Sequence, residues 1–285
     1  WIGFPGCYGM LGVSDILCGR TSPSGALPDI YATYNMSAPA MQNMGNFQYE
    51  NGAEMLTRGA GQTGGTTGNY LIEAEGIYVG YRYYETRYYD SVFGNGNAGS
   101  PVGAYASSAE WDYDKEVAYG FGYGLSYTDF TQEFEGEPEF NVSTDPVTGV
   151  CDATAVFHVK VTNTGDMAGK SIVQIYGQAP YTEGGVEKSA VQLLNFGKTD
   201  TLMPGESQVV SVEVDLQYIA SYDNTYDNGD GTVGTYILDP GTYYFAMGNG
   251  AHDALNHMMA RQGADPESLS GERNSAMAYE NKITE

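Results

Sequence analysis

Residues 223–231, DNTYDNGDG, gather three aspartates and two asparagines in nine positions, the density of oxygen donors a calcium loop needs. The spacing does not fit an EF-hand. With Gly231 at the sixth loop position, the first ligand would be Tyr226 and the twelfth Ile237, neither of which supplies a carboxylate. The run is therefore expected to be a long hairpin loop. His252 and His257 are five residues apart and would diverge on a helix, a poor geometry for sharing a metal. His158 lies in a strand pattern and is expected to be a structural histidine. No metal site and no cofactor are expected.

Other chemistry-bearing patterns fail on context. Gly59, Gly61 and Gly64 satisfy a G-x-G-x-x-G string, but no strand precedes it and no helix follows to present amides to a pyrophosphate, so a loop is expected. Ser14, Ser24 and Ser126 each lack one or both glycines of a nucleophile elbow. Glycoside hydrolysis needs two carboxylates flanking one bond, and with 36 acidic residues any chosen pair is uninformative. Cys7, Cys18 and Cys151 have no C-x-x-C spacing and are expected to be buried free thiols.

The balance of 36 acidic to 12 basic residues, a formal net charge of −24, excludes nucleic acid as a partner, because Lys and Arg must displace its counterions. It disfavours an anionic membrane surface for the same reason, and no apolar run approaches the roughly 20 residues of a membrane helix. Neutral partners such as sugars remain open. The 25 tyrosines suit sugar stacking, and equally sheet packing. A chain that opens at Trp1 rather than Met reads as a piece of a longer protein, with any targeting segment outside it and its localisation, extracytoplasmic or cytoplasmic, left open.

The elements that would position such groups change character along the chain. Residues 1–35 read as loop, a short helix over 10–17 ended by Gly19, and an extended Pro/Gly segment. Residues 36–130 are rich in Gly and Tyr and irregular, with a possible helical turn at 53–58. Within them the alternation of Ile77, Val79, Tyr81 and Tyr83 predicts a strand covered on both faces. Residues 133–140 alternate Glu with Phe, Gly and Pro, as in a charged edge strand. Strand-like segments follow at 153–161, 171–176, 189–196, 208–214 and 242–247. Six or more short strands separated by turn signals predict an immunoglobulin- or fibronectin-type β-sandwich over 131–250. Its expected core holds Val156, Val159, Val161, Ile172, Ile175, Leu193, Val210, Val212 and Tyr243. Residues 251–285 read as a short helix over 251–261 and a polar, linker-like tail.

Four blocks, in order, resemble glycoside hydrolase family 3, the β-glucosidase and β-xylosidase family. The first holds Trp1, Gly3, Pro5, Gly6, Asp15, Leu17, Gly19, Pro23, Ser24, Gly25, Leu27 and Pro28. The second is EGIYVGYRYYET at 75–86, and the third FGYGLSYTDF at 121–130. The fourth runs VKVTNTGDMAGK into VQIY at 173–176, then LMPGES at 202–207.

The resemblance implies a mainly β chain: a C-terminal fibronectin III-like β-sandwich at 131–250 preceded by the truncated end of an α/β sandwich domain at 1–35 and a connecting region at 36–130. It implies that the nucleophilic Asp lies in a separate TIM barrel and the acid/base Glu ahead of the block beginning at Trp1. Neither position is in this chain, so no catalytic residue is expected here and the chain is expected to be silent alone. The alternative is a stand-alone carbohydrate-binding or structural β-sandwich module. Trp1 and Tyr8 are the candidate substrate contacts of the assembled enzyme, because the Pro5–Gly6 loop follows an expected strand end, where open α/β sheets place ligands; both rings could equally be packing residues. Two departures from the family pattern are Cys7-Tyr8-Gly9-Met10 after the Pro-Gly and Gly120 where Pro is common. GNGAHDAL at 248–255 resembles members in which the fibronectin III-like module leads into the barrel.

Overall fold

A computed structural model describes residues 4–42, 45, 47–50, 69–70, 72–101, 110–144 and 151–284. The 53–58 turn and the glycine string at 59–64 lie outside the described residues.

Two four-stranded sheets form the sandwich. One contains β5 (Phe130–Phe134), β6 (Glu139–Thr144), β7 (Cys151–Asn163) and β10 (Ser207–Asp215), with β10 on one side of β7 and both β5 and β6 on the other. The second has the order β14 (Ala278–Ile283), β13 (Gly241–Gly248), β8 (Ile172–Gln178), β9 (Gln192–Lys198). All pairings are antiparallel. A separate hairpin joins β11 (Ser221–Asp227) to β12 (Val233–Ile237). Outside the sandwich, β1 (Tyr31–Ala32) pairs with β4 (Val117–Tyr119), and β2 (Phe47–Gln48) with β3 (Asn69–Tyr70).

Period-two alternation along β7 turns Ala155, Phe157, Val159 and Val161 into the sandwich, where they meet Val173, Ile175, Val210, Val212, Tyr243 and Phe245. Each fully buried aromatic or aliphatic side chain contributes about 1.5–3 kcal/mol. Val156, expected inside, lies half-buried in the opposite phase, because the phase set by Val159 and Val161 places Phe157 inward instead. Ile172 and Leu193 are also only half-buried.

Three further expectations change. Residues 77–84 are not a strand: after a turn at Gly76, helix α3 (Tyr81–Phe93) begins behind Gly80 at φ +59° and ends at Gly94 in the left-handed region. Tyrosine occupies both phases of the pattern, so periodicity could not discriminate. The helix is settled by burial of Tyr84, Glu85 and Tyr88 on one face. The expected edge strand at 133–140 is two strands on the same side of β7, divided where Gly136 turns the chain at φ +85° and Pro138 withholds an amide. Finally, the linker-like tail returns to the sandwich, since Ala278–Ile283 pair with β13 over six residues. The helix before it, α5 (Ala251–Arg261), buries Ala254, Leu255, Met258 and Met259 in a second core with Tyr84, Tyr88, Trp111, Tyr113 and Tyr176.

At the N-terminal end, α1 (Gly9–Leu17) is closed by Gly19 at φ +68°, as its sequence predicts. It buries none of its residues, and Met10, Leu11 and Leu17 are exposed. Cys7 and Cys18, expected to be buried, flank this helix and are exposed as well. Short helices α2 (Pro39–Gln42) and α4 (Tyr113–Glu116) complete the elements needed below.

Candidate functional site

Tyr8 sits on the turn that enters α1, with 82% of its surface exposed and no side-chain capping bond. Trp1 lies outside the described residues. The Pro5 carbonyl accepts from the Gly9 amide at 3.0 Å, which fixes the turn without using the Tyr8 ring.

The block at 121–130 is a clamp closed largely by backbone hydrogen bonds. Gly122, at φ +88°, donates to the Leu27 carbonyl at 2.9 Å, and Leu27 donates to the Tyr123 carbonyl at 2.8 Å. On the other side the Ala251 amide donates to the Phe121 carbonyl at 3.1 Å. A β-carbon on Gly122 would lie 2.7 Å from Gly250 Cα, so only glycine fits. Phe121 stacks on Tyr81 at 4.3 Å and meets Tyr176 edge-on at 6.5 Å. The Ser22 hydroxyl lies 2.7 Å from that of Ser126 and accepts from the Tyr127 amide at 2.9 Å. Tyr123 and Tyr127 are half-exposed, and the Tyr127 hydroxyl donates to the Ile16 carbonyl at 3.1 Å.

Acid–base residue types do converge, though far from Tyr8. Glu85 of α3 is fully buried, accepting from the Tyr113 hydroxyl through one oxygen and facing His252 Nδ1 at 2.9 Å through the other. The His252 ring stacks on Tyr113 at 3.9 Å, and its Nε2 lies 3.0 Å from both the carbonyl and the hydroxyl of Ser270. Burial works against the imidazolium, but the Glu85 charge, its hydrogen bond and the Ser270 carbonyl outweigh it and raise the His252 pKa. Burial, with Glu85 beside it, raises the Tyr113 phenol well above its usual value. Tyr88 extends the network, donating to Asn256 Oδ1 at 2.9 Å and accepting from the Ser270 amide at 2.8 Å.

A carboxylate with no exposed surface cannot reach a sugar bond, so this cluster locks α3, α4 and α5 together rather than reacting. The sequence gives little warning of it: Glu85 and His252 are 167 positions apart, and the visible signal is an acid in an otherwise aromatic run. His257, on the same helix as His252, accepts the Asn274 amide at Nδ1 over 3.0 Å, and burial lowers its pKa to about 4. The two histidines thus face different partners. His158 Nδ1 lies 2.8 Å from the Ser211 hydroxyl across the β7–β10 pair. In the 223–231 run, Asp223 and Asp230 each accept from the amide and hydroxyl of the threonine two residues on, which folds the run into a hairpin.

A fibronectin type III-like domain model matches residues 171–251. β-Glucosidase A of Butyrivibrio fibrisolvens is 33% identical over 87% of this chain and 25% of its own length. Among solved structures, a β-glucosidase from Paenibacillus barengoltzii is 32% identical, with a TM-score of 0.58 over 85% of this chain and 20% of that one. β-Glucosidase 3B from Thermotoga neapolitana, in complex with α-D-glucose, is 30% identical, with a TM-score of 0.53 over 85% of this chain and 25% of that one. The chain spans between a fifth and a quarter of the length of these relatives.

Proposed function

From a chain that belongs to glycoside hydrolase family 3 and covers a quarter or less of its relatives' length, we infer the accessory half of a retaining β-glycosidase, a β-glucosidase acting on terminal non-reducing β-linked sugars. The carrying observation is the lopsided coverage: most of this chain matches, and most of each relative has no counterpart in it. Retention needs two carboxylates about 5–5.5 Å apart across the scissile bond. The convergent acid described above is sealed in the second core, which supports a scaffold role for this region.

In this reading residues 1–35 close an α/β sandwich domain, 36–130 form the layer that joins it to the fibronectin III-like module at 131–250, and 251–284 brace that module with α5 and β14. The partner is the TIM barrel of the same protein, and the substrate is an oligosaccharide or β-glucoside bound by the whole. Exposed Leu11 and Leu17 on a helix with no buried residue support such a neighbour beside α1. Trp1 and Tyr8 are the substrate contacts we assign to this chain.

The test is hydrolysis of p-nitrophenyl β-D-glucopyranoside by the purified 285-residue chain and by the product of the coding sequence recovered on both sides of it. No turnover by the chain alone and retention of configuration by the longer product are expected. Turnover by the chain alone, or a longer product with no barrel, would overturn the assignment.

A further inference from the structure

The fibronectin III-like region carries an open cleft of about 1200 Å³ that no contact described so far explains. Its lining includes Tyr218 from the 3-10 turn Leu216–Ile219, Tyr222 and Tyr236 from the β11–β12 hairpin, and Glu187 from the loop before β9. The three tyrosines are between half and three-quarters exposed. Tyr222 and Tyr236 face each other in register, their rings 5.2 Å apart and close to edge-on. Gly234, at φ +96°, makes room for this arrangement, since a β-carbon there would lie 2.3 Å from the Tyr222 hydroxyl. The hairpin is thus built around that ring.

The chemistry of the lining narrows the occupant. Lys188 is buried and paired with Asp239, so its charge is already spent. Beyond that pair the lining sets Glu187 and Asp223 against the single cation Arg82, a negative balance on a strongly acidic chain that disfavours anionic ligands. A purely apolar ligand would leave the Asn224 amide and the Glu187 carboxylate without partners. A ligand with apolar faces and a rim of neutral hydroxyls satisfies both halves. The volume exceeds the usual small-molecule range of about 300–1,000 Å³, enough for several linked residues.

We propose that this cleft binds a stretch of neutral polysaccharide chain, with Tyr218, Tyr222 and Tyr236 as stacking platforms and the Glu187 carboxylate and neighbouring amides taking hydroxyls. The inference rests on the cleft alone and stands or falls apart from the hydrolase reading: glycan binding by a chain whose longer form hydrolyses nothing would leave it intact.

Affinity electrophoresis of the 285-residue chain in native gels containing mixed-linkage β-glucan, laminarin or dextran tests it. Retardation in at least one neutral glycan is expected. Affinity should fall about tenfold in Tyr222→Ala/Tyr236→Ala and severalfold in Tyr218→Ala, the loss expected for a removed aromatic platform. The Phe double variant should keep most of the binding, and Tyr226→Ala, outside the lining, should match the parent. Because Tyr218 lies on a different element, its variant decides the matter if the hairpin variant melts early. Unretarded migration in all three gels, or equal retardation of parent, hairpin and Tyr218 variants, would overturn the proposal.

Discussion

Gly124 lies against the backbone of Gly25 so closely that a β-carbon on it would stand 2.3 Å from the Gly25 carbonyl oxygen. Two backbones separated in sequence by about a hundred residues meet there with no side chain between them. The surrounding bonds, Leu27 to Tyr123 and Gly122 to Leu27, depend on that approach.

Replacing Gly124 with Val should therefore destabilise the protein by about 3 kcal/mol, because the obstacle is backbone and cannot rotate away. Thermal or urea unfolding measures it. A melting temperature equal to that of the parent would show that the two segments separate without cost.

The buried Glu85–His252 pair gives a pH dependence of known sign. The folded pKa of His252 is raised above its unfolded value, so its contribution is complete below about pH 6.5 and is lost as pH rises through the folded value. Thermal melts between pH 5 and pH 9 should show that decline in the parent and its absence in Glu85→Gln. Truncation to Glu85→Ala leaves a buried imidazolium unpaired and should cost about 3–5 kcal/mol at pH 6. A pH profile shared by parent and Gln variant would contradict this role.

His257 acts in the opposite sense. Burial lowers its pKa from 6.5 to about 4, so its contribution is complete above pH 6.5 and disappears as the pH falls toward 4. The shift corresponds to roughly 3 kcal/mol at most. NMR titration of the His257 ring should give a midpoint near pH 4. A midpoint near 6.5 would mean that the ring is solvated.

Tyr8 separates binding from packing. With 82% of its surface exposed, Tyr8→Ala should alter unfolding free energy by less than about 0.5 kcal/mol. In the longer protein the same change should raise KM for an aryl β-glucoside severalfold. Unchanged kinetics would remove Tyr8 from the substrate contacts.

The sandwich was legible because its signal is local. Val159 and Val161 alternate with polar residues, turn residues punctuate the strands, and the expected segments at 153–161, 171–176, 189–196, 208–214 and 242–247 each overlap an observed strand. The misreadings occur where local pattern is ambiguous or tertiary contact decides. Tyrosine in every phase of 81–84 conceals a helix whose identity depends on packing against α5. The tail 278–283 carries Tyr, Glu, Asn and Lys and resembles a linker until β13 offers it an edge. The Glu85–His252–Tyr113 cluster was hard to see for a stronger reason: three separate elements supply it, and no spacing in the sequence encodes their meeting.

Among the described residues the β11–β12 hairpin pairs with itself alone, whereas β7 is hydrogen-bonded along both flanks, to β10 on one side and to β5 and β6 in succession on the other. The two elements thus belong to different cooperative units. Amides of β7 are expected to exchange with solvent only when the whole sandwich opens, and those of the hairpin through a small local opening that leaves the core closed. Tyr222 and Tyr236 ride on the looser unit, so a ligand that bridges Tyr218 and the hairpin would slow hydrogen exchange at residues 221–237 without touching the protection of β7.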